Sequence, residues 1–201
     1  MKRNIMDENI FYYENVIEDP YNFIDYIEDL DSHLVDGESA INPWAKWRSS
    51  NDPDHIFGEQ KFINIDKLKD ESSLMNKECT YINNTISDAI IKASRDYEEY
   101  HNTEIGNLAP LSISKYFPGS GMGSHVDDYN DGSNPTISVV LYLNDNYDGG
   151  SIYFRVQDID IKPSAGSLVI FPSHEPYFHE SKTLISGYKY MTPGFWNKRT
   201  G

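Results

Sequence analysis

Four side chains in the C-terminal half of the chain have the types and spacing to do chemistry together: His125, Asp127, His179 and Lys189. His125 and Asp127 stand two apart in Ser124-His125-Val126-Asp127, so on an extended segment both project from one face, as two ligands of one metal must. A distant His179 can supply a third ligand. Two imidazoles and one carboxylate on one side of a metal, with the opposite side open, form a donor set that selects non-haem Fe(II) for oxygen chemistry. Lys189 adds a cation one strand-length beyond the second histidine, where an acidic cosubstrate on that metal could place its far carboxylate.

The His-x-Asp pair alone says little, because six histidines in a chain this rich in aspartate give about 0.6 such pairs by chance. The elements that must position the four residues carry more weight. Upstream, Tyr116-Phe117-Pro118-Gly119-Ser120-Gly121-Met122-Gly123 is a glycine-rich turn that delivers the chain into His125. Downstream, Thr136 to Asn144 is rich in β-branched and aromatic residues and ends at the turn formers Asn144-Asp145 and Asp148-Gly149-Gly150. Three further short apolar runs follow: Ser151-Ile152-Tyr153-Phe154, Ser167 to Phe171, and Tyr188-Lys189-Tyr190-Met191. Short strands at intervals of about 8–12 residues, separated by turn signals, predict a β-sandwich or barrel.

The stretch from Tyr116 to Trp196 resembles the prolyl 4-hydroxylase-like branch of the 2-oxoglutarate/Fe(II) dioxygenases. The resemblance rests on the Tyr, Gly-rich turn and His-x-Asp, on Leu141-Tyr142-Leu143-Asn144, on Gly149-Gly150-Ser151-Ile152-Tyr153-Phe154, and on Pro163 through Phe171-Pro172-Ser173. It continues through His179 and Ser186-Gly187-Tyr188-Lys189-Tyr190 to Phe195-Trp196. It implies an α+β, mainly β fold: a double-stranded β-helix, or jelly roll, with N-terminal flanking helices. It also implies Fe(II), 2-oxoglutarate as cosubstrate, O2, and ascorbate as a reductant. By the same resemblance the reaction is hydroxylation of a C–H bond in a prolyl or other residue of a peptide or protein, coupled to decarboxylation of 2-oxoglutarate to succinate. Halogenating relatives carry a small residue where Asp127 stands, so the carboxylate argues for hydroxylation.

Within this frame the metal set is His125, Asp127 and His179. Asp128 is adjacent to Asp127, but strand alternation points it to the other face, as a solvated or substrate-facing carboxylate. His174 competes with His179; the prolines in Pro172-Ser173-His174-Glu175-Pro176 impose a turn there, whereas His179 follows Tyr177-Phe178 and suits a resumed strand. Lys189 sits among bulky, mostly apolar neighbours, where a buried ammonium needs a partner; a 2-oxoglutarate carboxylate is one, and the alternative is a lysine snorkelling to solvent. Tyr142 and Tyr116 match positions that line the cosubstrate pocket in the resembled family, or serve as core aromatics. The loop from Asp128 and Tyr129 to Pro135 follows the metal pair and is placed to touch substrate, and Trp196 is a further candidate for the pocket wall.

With 201 residues the chain is expected to form one domain over 1–201, with helical support mostly in 1–105 and a catalytic core over about 106–201. A formal charge of -15 opposes approach to a phosphate backbone, so nucleic acid is disfavoured and a peptide or small-molecule substrate is expected. One cysteine, Cys79, allows no intramolecular disulfide and suits a reducing compartment. No apolar run is long enough for a membrane span and no signal peptide is evident, so a soluble cytoplasmic protein is expected. In the N-terminal half, Ile10 to Ile17 predicts a strand. Asp19-Pro20 opens a helix through Tyr21, Phe23, Ile24, Ile27 and Leu30, and a second helix is expected from about Ser73 to Tyr100. Trp44, Trp47 and Asn51-Asp52-Pro53-Asp54 read as irregular. Two rival readings stand beside the oxygenase: a Zn2+ hydrolase or isomerase on a jelly roll, and a non-enzymatic module using its acidic surface to hold a basic partner.

Overall fold

The structure is a computed structural model that describes residues 1–33, 44–46, 56–64, 73–128 and 135–197. The N-terminal half contributes β1 (Lys2–Asp7), β2 (Ile10–Glu14), α1 (Tyr21–His33), β3 (Ala45–Lys46), β4 (Ile56–Phe57), β5 (Gln60–Ile63) and α2 (Ser73–His101). The C-terminal half contributes β6 (Asn107–Leu108), β7 (Ile113–Tyr116), β8 (Gly121–His125), β9 (Pro135–Tyr142), β10 (Asp148–Gly149), β11 (Ile152–Phe154) and β12 (Ile159–Ile161). It ends with β13 (Ser167–Pro172), β14 (His179–Ser181), β15 (Leu184–Ser186) and β16 (Lys189–Asn197). The predicted strands and both helices are present, while Trp47 and Asn51 to Asp54 lie outside the described residues.

Two antiparallel sheets make the jelly roll. The larger runs β1-β2-β13-β9-β16-β7-β5-β3, with β6 paired to β16; the smaller runs β12-β11-β14-β8-β4, and β10 pairs β15 beside them. The N-terminal half therefore gives strands as well as helices: β2 pairs β13 through Phe11↔Ile170 and Tyr13↔Leu168, and β5 pairs β7.

Alternation along each strand of the large sheet divides the molecule into two cores. In β9, Ile137, Val139 and Leu141 face the helices, where they join Phe23 and Ile27 of α1 and Ile82, Ile86, Ile90 and Ala93 of α2. Val140 and Tyr142 face the other way, into a cluster with Phe154, Val169, Phe171 and Met191 between the sheets. The apolar stripes of the helices thus cover one face of the large sheet. The second sheet lies over the other face, and the space between them holds the predicted site. No helix among the described residues is long and apolar enough to cross a membrane.

Candidate functional site

Cross-strand register brings the two histidines together. His179, at the start of β14, pairs directly with His125, at the end of β8, and their ring centroids are 4.3 Å apart. Past His125 the chain leaves the strand, and the backbone N–H groups of Asp127 and Asp128 both donate to the Ser173 carbonyl, at 2.9 and 3.0 Å. Ser173 follows β13 of the large sheet, so this contact ties the end of β8 across to the opposite layer. Asp127 then faces both imidazoles: His125 Nε2 is 3.3 Å from Oδ1, and His179 Nε2 is 3.5 Å from Oδ2. One donor atom from each of the three residues lies within 4.8 Å of the others, close enough to share a metal ion.

The imidazoles are set in one tautomer. His125 Nδ1 lies 2.9 Å from the Gly123 carbonyl and His179 Nδ1 lies 3.2 Å from the Tyr177 carbonyl. A carbonyl only accepts, so each Nδ1 carries a proton and each Nε2 is the atom aimed at Asp127: protonated, it can donate to the carboxylate, and deprotonated, it offers its lone pair to a metal, the orientation that second-sphere carbonyls give to metal-ligating histidines. Burial works against charge on Asp127, yet His179, His125 and the Ser138 hydroxyl outweigh it and hold the carboxyl at about 2. Burial likewise disfavours charge on His125, but hydrogen bonding to Asp127 and its field prevail and raise the imidazole above its ordinary value. The cluster is anionic at its centre and ringed by nitrogen donors, an environment that calls for a cation.

The same cavity, about 490 Å³, is lined by His125, Asp127 and His179 and also by Tyr116, Tyr142 and Lys189. Lys189 is 1 % exposed. Its ammonium donates to the Gly150 carbonyl at 3.0 Å and to Ser181 Oγ, and sits 4.4 Å from the centre of the Tyr116 ring. No carboxylate among the described residues pairs with it, and burial pulls its pKa down to about 7. A buried cation with two neutral acceptors and a ring face is an incomplete arrangement that an anionic ligand would complete. The phenols of Tyr142 and Tyr116 are buried, which raises both pKa values and keeps them neutral. These residues fit iron and a dicarboxylate cosubstrate.

The remaining predicted residues fall in different places. His174 is exposed in a turn, its Nδ1 near the Glu175 carbonyl, and stands apart from the cluster. Asp128 is half-buried and held by its backbone. Tyr129 lies outside the described residues. Trp196 belongs to the helix-side core at 8 % exposed, and the cavity wall at this point is Phe195. The physical reason is parity: with Lys189 inward on β16, residues 191, 193 and 195 follow it and 196 faces the helices. Three residues not foreseen from sequence belong to the site. Ser181 shares a face with His179 two positions away, Ser138 shares one with Tyr142 on β9, and Gly150 brings a bare backbone up to Lys189.

The model of the 2OG-Fe(II) oxygenase superfamily matches residues 111–197. No curated protein matches the chain. Among solved structures, a prolyl hydroxylase from Trichoplax adhaerens in complex with a hypoxia inducible factor peptide fragment is similar at TM-score 0.69 and 17% identity, over 94% of this chain and 83% of that one. The viral collagen prolyl hydroxylase of Paramecium Bursaria Chlorella virus-1, as a 2OG complex, is similar at TM-score 0.64 and 14% identity, over 96% and 97%. A Pseudomonas putida prolyl-4-hydroxylase is similar at TM-score 0.61 and 17% identity, over 96% and 94%. At these identities the likeness establishes the jelly-roll fold, and the matched segment is the one that carries the His-Asp-His cluster. Residues 111–197, which carry the His-Asp-His cluster and Lys189, are thus similar to the 2OG-Fe(II) oxygenase superfamily.

Proposed function

We propose that the protein hydroxylates a C–H bond of a prolyl or other residue in a peptide, with His125, Asp127 and His179 holding Fe(II) and Lys189 holding the far carboxylate of 2-oxoglutarate. The observation that carries this is the buried, carboxylate-free Lys189 in the cavity of the His-Asp-His cluster. When bound, iron and 2-oxoglutarate supply the oxidising power, with O2 consumed and succinate and CO2 formed beside the hydroxylated product. The chain's own residues place and shield. Tyr116 lays its ring against the ammonium, Tyr142 lines the same wall, and Met191 and Phe195 keep the cavity largely apolar. The peptide preference draws on the similar prolyl hydroxylases, one solved with a peptide fragment. Action as one domain over 1–201 draws on the pairing of β2 and β5 with catalytic strands. Residence in a reducing cytoplasm draws on the lone cysteine of the sequence, Cys79, which is buried.

Anaerobic addition of Fe(II) and then 2-oxoglutarate to metal-free protein tests the core of the reading. A weak visible charge-transfer band is expected in wild type, and Lys189→Ala should require far more cosubstrate to reach it. Bound iron without a band overturns the assignment. Proline-containing peptides should then gain one oxygen in step with succinate release, whereas gain only on a small metabolite overturns the peptide preference.

A further inference from the structure

Behind Asp127 lie two hydroxyls, Ser138 on β9 and Ser173 after β13, each 1 % exposed. Ser138 Oγ donates to Asp127 Oδ2 at 2.6 Å and lies 2.8 Å from Ser173 Oγ. The direction of both bonds follows from the carboxylate. Ionised Asp127 only accepts, so the Ser138 proton points at Oδ2; its oxygen is then the acceptor for Ser173. Ser173 is held in turn by its N–H to the Thr136 carbonyl at 3.1 Å, while its own carbonyl receives the N–H groups of Asp127 and Asp128. The ligand's main chain and its carboxylate are therefore fixed from one point on the large sheet.

Rotamer preference cannot do this, because the terminal torsion of an aspartate is broad. A carboxylate free to turn can offer a cation one oxygen or both, and a second oxygen would fill a position that this donor set leaves open. Resting on the metal reading above, we propose that Ser138, backed by Ser173, is a positioning residue that ties off Asp127 Oδ2. Asp127 then presents a single oxygen, Oδ1 on the His125 side, to the metal. A hydroxyl-to-carboxylate bond of this length belongs to the charge-assisted class, strong enough to set a plane that sterics leave loose.

Titration of metal-free protein with Mn(II) alone tests this, with Co(II) absorption as a second readout. Ser138→Ala should weaken Mn(II) binding about 10–100-fold, the range seen when outer-sphere partners of metal ligands are removed, and should change the Co(II) spectrum. Ser138→Thr, which keeps the hydroxyl on a strand-compatible residue, should restore both; Ser173→Ala should show a smaller loss in the same direction. Asp127→Ala separates the two readings. If it abolishes binding while Ser138→Ala leaves affinity and spectrum unchanged, the positioning role is overturned and the metal site stands. If Asp127→Ala binds Mn(II) like wild type, the metal reading itself falls. A drop in melting temperature of metal-free Ser138→Ala with unaltered metal affinity would show a purely structural hydroxyl and also overturn the proposal.

Discussion

Lys189 links burial to a pH-dependent affinity. Its ordinary pKa near 10.4 falls to about 7 in the folded protein because the ammonium is desolvated. Below pH 7 folded and unfolded chains are both protonated and the burial penalty is fully present. Between about 7 and 10 the unfolded chain binds the extra proton, so stability rises with pH across that window. An anionic carboxylate against Lys189 favours the charged form, so 2-oxoglutarate binding at pH 8 should take up close to one proton. Calorimetry of metal-loaded protein in buffers of different ionisation enthalpy should show this uptake at pH 8, little at pH 6, weaker affinity as pH rises, and none of it in Lys189→Met. A buffer-independent heat at pH 8 would remove Lys189 as the partner. That His125, Asp127, His179 and Lys189 would come together in one cavity was legible because candidate metal ligands and buried cations come from few residue types. Ser138, Ser173 and Ser181 were not, since a serine in a strand looks alike whether it faces solvent or a carboxylate. Parity was the available signal: Ser181 has the parity of His179, and Ser138 that of Tyr142.

At the scale of elements, the site depends on how closely one turn approaches one strand. Gly150 has φ +63, and a Cβ there would lie 3.1 Å from Leu184 Cδ1, 3.3 Å from Tyr147 Cε2 and 3.4 Å from Lys189 Cδ. Gly150→Ala should cost about 1–2 kcal/mol of stability for the left-handed backbone, read from the denaturant midpoint, and should weaken 2-oxoglutarate binding while Mn(II) binding stays near wild type. Equal losses for both ligands would point instead to general loosening of the fold. Strand positions and helix stripes were visible in the periodicity, since alternation in β9 and the 3.6-residue spacing in α2 are local properties. The pairing of β2 with β13 was not visible, because nothing local in Ile10 to Glu14 names a partner ~155 residues away. Trp196 shows the cost of reading type before parity: its aromatic ring suggested a pocket wall, and its register sent it to the core.

Over the whole molecule, a formal charge of -15 sets a field that acts on any peptide before contact. A peptide with Lys or Arg flanking the target residue should show higher kcat/KM than an acidic counterpart. The gap should close as ionic strength rises and the screening length shrinks to about 8 Å at physiological salt. Equal kcat/KM at low salt would show that the surface charge does not steer substrate. The pairing that completes the large sheet also has a consequence in time. Phe11 and Tyr13 of β2 emerge from the ribosome early, whereas Leu168 and Ile170, their partners, are made ~155 residues later; at ~5–20 residues per second this leaves an apolar strand waiting on the order of ten seconds or more. During synthesis β2 is therefore a natural foothold for chaperones, and a slowed ribosome between Tyr13 and Leu168 should raise aggregation more than the same pause placed after β13.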